Sequence, residues 1–330
     1  MIPLSVLDLA TVASGSSPAQ ALRETTMLAV EAERLGYRRF WVAEHHAIAA
    51  VASSAPAVLI EHLATATTTM RVGSGGVMLP NHAPLVVAEQ FATLEALHPG
   101  RIDLGLGRAP GTDHVTARAL RRSADLGADH FPDDVVELIR YLLPNDQPAH
   151  PAPVPGSGYL PEIWLLGSST FSAQLAGILG LPFSFAYHFA PALLDQAVES
   201  YRSNFQPSLL LEEPHFMVAA SVLCADTQEE ARDLSLSGAL NILQRSTGRM
   251  GPLPSLEEAR AHTFTESEQA LVDEALSTHL IGDADSVQKG LAALVERTDA
   301  NEVMISTRTH SYEARQHSYE LVARRWLLEP

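Results

Sequence analysis

An acid and two adjacent histidines, Glu44, His45 and His46, end a short apolar run early in the chain. Histidine ionises near neutral pH, so it can both accept and donate a proton during a reaction. Because neighbouring side chains on a strand point to opposite faces, His45 and His46 cannot both face one site while the strand persists. That spacing disfavours a metal pair. Two interpretations stay open: a proton-transferring histidine, or polar residues that close a strand.

Glycines and small hydroxyl side chains gather at the ends of two other apolar runs. VGSGGVML has Gly75 and Gly76 inside a strand pattern, where glycine weakens a sheet unless a flat ligand or another backbone comes close; a bulge is the alternative. GSSTFSAQLAG places Ser168, Ser169 and Ser172 where a strand gives way to a helix. Free N–H groups and hydroxyls at a helix start can bind phosphate, and a plain serine cap is the alternative.

A third stretch, GLGRAPG, carries Arg108 between glycines at the end of an apolar run. Gly105, Gly107 and Gly111 superficially resemble a dinucleotide fingerprint. However, the third glycine is misplaced, and no strand ending in an acid follows about 20 residues later. A Rossmann-type nucleotide site is therefore disfavoured. We expect Arg108 either to balance a phosphate charge or to be a surface cation.

Eight short apolar runs predict β-strands, and longer helical patterns separate them. Alternation of this kind indicates βαβ units, and eight parallel strands with intervening helices close a barrel. The fold class predicted is therefore α/β, a (β/α)8 TIM barrel in which residues 1–330 form one domain. The predicted strands are residues 2–9, 40–43, 71–78, 102–106, 163–166, 183–187, 216–223 and 302–306. In such a barrel, the loops at the carboxyl ends of the strands carry the active site.

Three segments stand out against the predicted repeat of strands and helices. Residues 17–35 predict a helix with Ser17 as its cap, Pro18 at its first position and Gly36 at its end. Residues 144–161 are too rich in proline and glycine for regular structure and predict an insertion or a hairpin-like loop. Residues 244–269, between the seventh helix and the eighth strand, predict a mobile lid because their periodicity is weak.

Composition excludes several classes of protein. The chain has 22 Lys and Arg against 39 Asp and Glu, a formal net charge of -17, and no long basic run, so nucleic-acid binding is not expected. Its single cysteine cannot form an internal disulfide or a zinc site built on several thiolates. The N-terminus has no positive region, and no stretch of about 18 uncharged apolar residues occurs. We expect a cytoplasmic protein without a membrane span or a metal.

Taken together, these stretches resemble the bacterial luciferase-like, or alkanal monooxygenase-like, flavin-dependent monooxygenases. The resemblance covers nearly the whole chain. It rests on EHH after the second strand, GSGGVMLPNHAPLVVAEQFATLEALHPGRIDLGLGR through the third and fourth, and GSSTFSAQLAG after the fifth. It implies a barrel that binds reduced FMN as a co-substrate and lets it react with O2. The resulting flavin hydroperoxide then oxygenates a hydrophobic organic substrate.

The resemblance also implies roles for individual residues. A non-proline cis peptide at Gly75–Gly76 would bulge against the isoalloxazine ring, and His45 would be the acid–base group that faces the flavin. Glu44 and His46 would orient the loop. The residues implied to bind the FMN phosphate are Arg108, Ser168, Ser169 and Ser172. His188, which follows the sixth strand in AYHFAP, is a further possible pocket residue.

Two positions depart from the family pattern. Gly107 stands where the family has a reactive cysteine beside the flavin, so thiol chemistry is not expected. Ser168 replaces an acid at the start of the phosphate loop, which removes one negative charge near the phosphate.

Partners and alternatives follow from the same resemblance. A barrel without a nucleotide fingerprint is expected to receive reduced FMN from a separate NAD(P)H:flavin reductase, and luciferase-like barrels commonly pair, so we expect a homodimer. One alternative is an oxidoreductase of the same barrel that uses the deazaflavin F420. Another is a flavin-binding protein without turnover. The fold alone does not separate the three.

Overall fold

The structure is a computed structural model that describes residues 2–109, 114–120, 129–144 and 151–328. Nine parallel strands run through these residues. Eight of them close a barrel in which β6 pairs with β7, β7 with β9 and β9 with β1, while β8 extends the sheet beside β7. The strands are β1 Leu4–Asp8, β2 Arg39–Val42, β3 Arg71–Met78, β4 Ile102–Gly107, β5 Glu162–Gly167, β6 Phe183–Ala186, β7 Phe216–Cys224, β8 Leu280–Gly282 and β9 Glu302–Ser306.

Helices connect the strands and surround the barrel. The described helices are α1 Pro18–Arg34, α2 Pro56–Ala66, α3 Pro84–Leu97, α4 His114–Leu120, α5 Phe131–Leu142, α6 Thr170–Leu179, α7 Leu194–Asn204, α8 Gln228–Ser246, α9 Leu256–Ala261, α10 Glu266–Leu276, α11 Ala284–Thr298 and α12 Tyr312–Ala323. The main hydrophobic core fills the layer between these helices and the barrel. None of the helices in the described ranges is both long and apolar enough to cross a membrane.

The predicted barrel is confirmed, and each of the eight predicted strands overlaps an observed one. The prediction for α1 is also confirmed: the Ser17 hydroxyl accepts from the Gln20 N–H at 3.2 Å, Pro18 is the first helical residue, and Gly36 has a positive φ. The ninth strand, β8, was missed because three residues are too short to show a strand pattern. The described part of the insertion, Pro144 and residues 151–161, contains neither helix nor strand.

Residues 244–269 are more regular than their sequence pattern predicted. The segment holds the end of α8, all of α9 and the start of α10. Ser255 with Glu258, and Thr265 with Glu268, form capping boxes that satisfy the first N–H groups of α9 and α10. Leu253, which lies between α8 and α9, is fully buried, and its backbone bonds Val12 and Ser14 after β1. The weak periodicity came from two short capped helices, not from an absence of structure.

A buried charge network closes the N-terminal end of the barrel. Arg39 is fully buried and donates to Asp103 Oδ2 at 2.8 Å and to Glu302 Oε1 at 2.9 Å. Arg71 donates to the other oxygen of Asp103 at 2.7 Å, and Glu162 accepts from Arg39 at 3.2 Å. Burial opposes the charge of Arg39, but the three carboxylates outweigh it and raise the guanidinium pKa. The network therefore joins β2, β3, β4, β5 and β9 at their first residues.

Removal of the Arg39 guanidinium is predicted to destabilise the barrel strongly. Arg39→Met leaves Asp103 and Glu302 buried without their main counter-charge, and breaking a buried pair costs about 3–5 kcal/mol. The matched control is Arg297→Met, which removes an exposed pair with Asp195, and exposed pairs contribute at most about 1 kcal/mol. Denaturant unfolding of the full chain measures both. Equal stability of the two variants would contradict a structural role for the network.

Candidate functional site

A cavity of about 370 Å³ opens at the C-terminal ends of the barrel strands. Its volume lies in the range of small-molecule sites, and apolar side chains make up much of its wall. The structure brings most of the predicted site residues together here. Those that line the cavity are His45, Gly75, Gly76, Arg108, Ser168, Ser169, Ser172 and His188. Glu44 and His46 do not line it, and Gly111 lies outside the described residues.

The floor of the cavity is formed by β3, where the Gly75–Gly76 peptide bond is cis. The pairing of β3 with β4 shifts register between Gly75 and Val77, so the strand bulges at this point. A Cβ on Gly76 would collide with the side chain of Leu166 and the carbonyl of Gly105. The glycine is thus required by the neighbouring strands, and the bulge presents bare backbone to the cavity.

The start of α6 forms one side of the cavity. Ser169 is the N-cap residue, yet its side chain makes no capping hydrogen bond, and Ser172 in the first turn is buried. The N-terminal N–H groups of a helix are left free by the helix itself and favour an anion. Arg108 lies close by, with its guanidinium carbon 4.4 Å from the centre of the Phe171 ring. Serine hydroxyls, helix N–H groups and an arginine together suit a phosphate group.

His45 faces the cavity because the strand alternation continues past β2. Trp41, Ala43 and His45 all line the cavity, whereas the intervening Glu44 points away from it. The Nδ1 atom of His45 is buried and has no hydrogen-bond partner among the described residues. Burial, followed by the positive charges of Arg308 and Arg245, lowers the pKa of His45. His45 therefore contributes to the wall of the cavity an imidazole whose neutral form is favoured.

Glu44 instead ties together the backbone behind the cavity. It is fully buried and accepts from His46 Nε2 at 2.9 Å, His82 Nε2 at 2.8 Å and the Met78 N–H at 3.0 Å. Burial favours the neutral acid, but these hydrogen bonds outweigh it and lower the pKa of Glu44. Because Met78 ends β3, Glu44 and His46 link the loop after β2 to the strand that carries Gly75–Gly76.

His188 lies after β6 on the far wall of the cavity. Its Nδ1 donates to the carbonyl of Ala219 at 2.9 Å, which leaves Nε2 as the acceptor of the neutral ring. Burial is the main cause that lowers the pKa of His188, the Ala219 carbonyl opposes it, and the charge of Arg308 adds to it. His188 is thus an uncharged cavity residue at neutral pH.

Sequence reasoning missed several cavity residues, above all Arg245 and Arg308. Arg308 follows β9, and Met304, Ser306 and Arg308 all line the cavity at alternate positions. If the alternation had been extended past the eighth predicted strand, Arg308 would have been predicted to face the cavity. Arg245 lies at the start of the segment predicted as a lid, where no sequence pattern indicated which way its side chain would face. Within the described ranges, no group of three or more His, Cys, Asp or Glu side chains is placed to hold a metal.

Comparison with known sequences gives a match over nearly the whole chain. The family model described as luciferase-like monooxygenase matches residues 2–301. A protein from Escherichia coli (strain K12) named "Luciferase-like monooxygenase" is 49% identical over 97% of this chain and 96% of its own length. The "N-acetyl-S-alkylcysteine monooxygenase" of Bacillus subtilis (strain 168) is 35% identical over 98% of each chain.

Solved structures give the same fold. The crystal structure of apo-MsnO8 superposes with a TM-score of 0.91 at 35% identity and 100% coverage of both chains. The oxygenating constituent of 3,6-diketocamphane monooxygenase of Pseudomonas putida, a type II Baeyer–Villiger enzyme in complex with FMN, has a TM-score of 0.69 at 21% identity, covering 98% of this chain and 97% of its own. An F420-dependent secondary alcohol dehydrogenase has 0.67 at 14% identity, covering 98% and 97%. The last two comparisons carry information on the fold alone.

Proposed function

The chain belongs to the luciferase-like monooxygenase family, and from that membership we propose that it is an FMN-dependent monooxygenase acting on a hydrophobic organic substrate. Reduced FMN would supply the chemistry by reacting with O2 to give a flavin hydroperoxide, which oxygenates the substrate. One observation carries the proposal: a phosphate-type site, a bare backbone bulge and a histidine whose pKa is lowered line the same cavity.

The cavity residues suit both the phosphate and the ring system of FMN. Arg108 and the Ser168–Ser169 turn at the start of α6 suit the phosphate. The Gly75–Gly76 bulge allows a flat ring to approach the backbone, and Leu7, Trp41 and Leu166 offer apolar surface around it. These features favour FMN over F420, because they match the residues that the luciferase-like family uses. Titration with each cofactor tests the choice: tighter binding of F420 than of FMN would favour a deazaflavin oxidoreductase.

Arg108→Ala is predicted to weaken FMN binding about tenfold or more, because a charge-assisted contact with phosphate contributes roughly 1.5–3 kcal/mol. Quenching of flavin fluorescence on binding measures the dissociation constant. The matched control is Arg140→Ala, an exposed arginine on α5 that does not line the cavity. An FMN affinity unchanged in Arg108→Ala would remove Arg108 from the phosphate site.

His45 is the residue best placed to exchange a proton during oxygenation. Its ring faces the cavity beside the glycine bulge, and its Nδ1 has no partner within the described part of the chain. Burial, and after it the charges of Arg308 and Arg245, favour the neutral imidazole, which can accept a proton from the reacting centre and return it.

His45→Ala is predicted to lower the rate of oxygenation by about 10²–10⁴-fold, the usual contribution of a proton-transfer group, with little change in FMN affinity. The measurement is a single turnover of the pre-reduced FMN complex mixed with O2 and a hydrophobic compound that the wild type oxygenates. His46→Ala serves as the control, because His46 bonds Glu44 and does not line the cavity. A normal rate of product formation by His45→Ala, or a larger loss of that rate in His46→Ala, would contradict the role proposed for His45.

Residues 244–269 are proposed to close over the cavity as a lid once flavin and substrate are bound. Arg245 and Leu253 of this segment line the cavity, so its position decides how much water reaches the site. Closure would protect the activated flavin from loss of peroxide to water. We predict that protease cleavage within residues 244–269 slows when reduced FMN and substrate are added. An unchanged cleavage rate would refute closure.

A separate NAD(P)H:flavin reductase is proposed to supply reduced FMN by diffusion. GLGRAPG is not a dinucleotide fingerprint, and the proposed site offers one phosphate position, so we predict that the purified chain oxidises NADPH negligibly with FMN present. Addition of an unrelated flavin reductase should start O2 consumption. Efficient NADPH oxidation by the chain alone would contradict this proposal.

A homodimer is proposed from the family resemblance, and a monomeric mass in solution at micromolar concentration would overturn it.

A further inference from the structure

Two arginines stand between the cavity described above and a second one. Arg245 and Arg308 line the first cavity, and both also line an adjoining cavity of about 300 Å³. His188 and Ser221 are likewise shared, so the two cavities meet at this wall. The second cavity extends outward between β7, α8, α10 and β8, where its wall includes Leu223, Ile242, Leu276, His279 and Ile281. We refer to Arg245 and Arg308 as the arginine pair.

The arginine pair lies on the side of the barrel opposite the phosphate-type site. Arg308 follows β9, while Arg108 follows β4 and Ser169 follows β5. In the closed ring, β9 is followed by β1, β2, β3 and β4, so β9 and β4 are four strands apart among eight. Because the two strands lie opposite each other in the barrel, Arg108 and Arg308 enter the cavity from opposite sides.

The arginine pair has no counter-charge among the residues that the structure describes. Neither guanidinium makes a hydrogen bond or an ion pair with a residue in the described part of the chain, unlike Arg39 and Arg71 at the other end of the barrel. Arg308 is only partly exposed. The acid on the wall of the second cavity, Glu274, is exposed and pairs with neither arginine.

The surrounding groups confirm that positive potential accumulates at this wall. Burial and then the charge of Arg245 lower the pKa of Arg308. Burial lowers the pKa of His279 to about 4, and the charge of Arg308 contributes to that shift. A partly buried cation without a partner, such as Arg308, is costly, and an anion that enters the cavity would relieve that cost. The guanidinium fork matches a carboxylate, which it can bind through two parallel hydrogen bonds.

We propose that the arginine pair binds a carboxylate carried by the organic substrate, which makes that substrate an apolar acid and not a neutral hydrocarbon derivative. The carboxylate would lie at the wall between the two cavities. The apolar part would extend from there along Leu9, Leu253 and Met304 toward the Gly75–Gly76 bulge, where oxygenation takes place. This inference rests on the proposed monooxygenase function and adds the class of substrate to it.

The test compares binding of decanoate with binding of its uncharged analogue decanamide to the full chain loaded with FMN, measured by calorimetry. The wild type is expected to prefer decanoate. Arg308→Gln should weaken decanoate binding about tenfold or more, as expected for a lost charge-assisted contact, and should change decanamide binding less than about twofold. Arg245→Gln, at a more exposed position, should show the same selectivity with a smaller loss. Arg249→Gln is the matched control, an exposed arginine outside both cavities.

Two results would overturn the proposal. In the first, the wild type binds decanoate and decanamide equally, or both arginine variants keep the wild-type preference for decanoate. In the second, Arg308→Gln and Arg245→Gln weaken FMN binding as much as Arg108→Ala does, which would assign the pair to the cofactor. Decanoate binding is also measured without FMN. If the chain without FMN binds decanoate in preference to decanamide, this result would support the carboxylate site even if the chain proved not to be an FMN monooxygenase.

Discussion

The bonds of Arg39 to Asp103, Glu162 and Glu302 hold the barrel strands in register, and the geometry of the mouth depends on that register. Side chains alternate between the two faces of a strand, so a slip of one residue would exchange every cavity residue for one that faces the helices. The network lies at the first residues of the strands, and the cavity lies at their last. Trp41 connects the two ends, because its Nε1 donates to Asp103 at 2.7 Å while its ring lines the cavity.

Charge is distributed unequally between the two ends of the barrel. At the N-terminal end, Arg39 and Arg71 are paired with the carboxylates of Asp103 and Glu302. At the mouth, Arg108, Arg245 and Arg308 line the cavity, and none of the described residues that line it is acidic. Burial is the main cause that lowers the pKa of His45, and the charges of Arg308 and Arg245 lower it further. The arginines that would attract an anionic ligand thus also favour the neutral form of His45.

The sequence predicted the barrel well because each strand and helix follows from local patterns of apolar residues, prolines and caps. It also placed His45 correctly toward the cavity, although the residues alone showed only that one of the two histidines had to face it. The cis bond at Gly75–Gly76 came from the family resemblance, since spacing cannot distinguish it from a simple bulge. Arg245 and Arg308 were missed because they come together through tertiary structure, one from the end of α8 and one from the residues after β9.

A crystal structure of the chain with bound FMN would locate the phosphate at one of the two sides of the mouth. We predict that the phosphate lies within hydrogen-bonding distance of Arg108 and the first N–H groups of α6. We further predict that the isoalloxazine ring rests against Gly75–Gly76 with His45 beside it, and that Arg308 does not touch the phosphate. A phosphate bound between Arg245 and Arg308, with the ring away from the glycine bulge, would contradict the proposed FMN site.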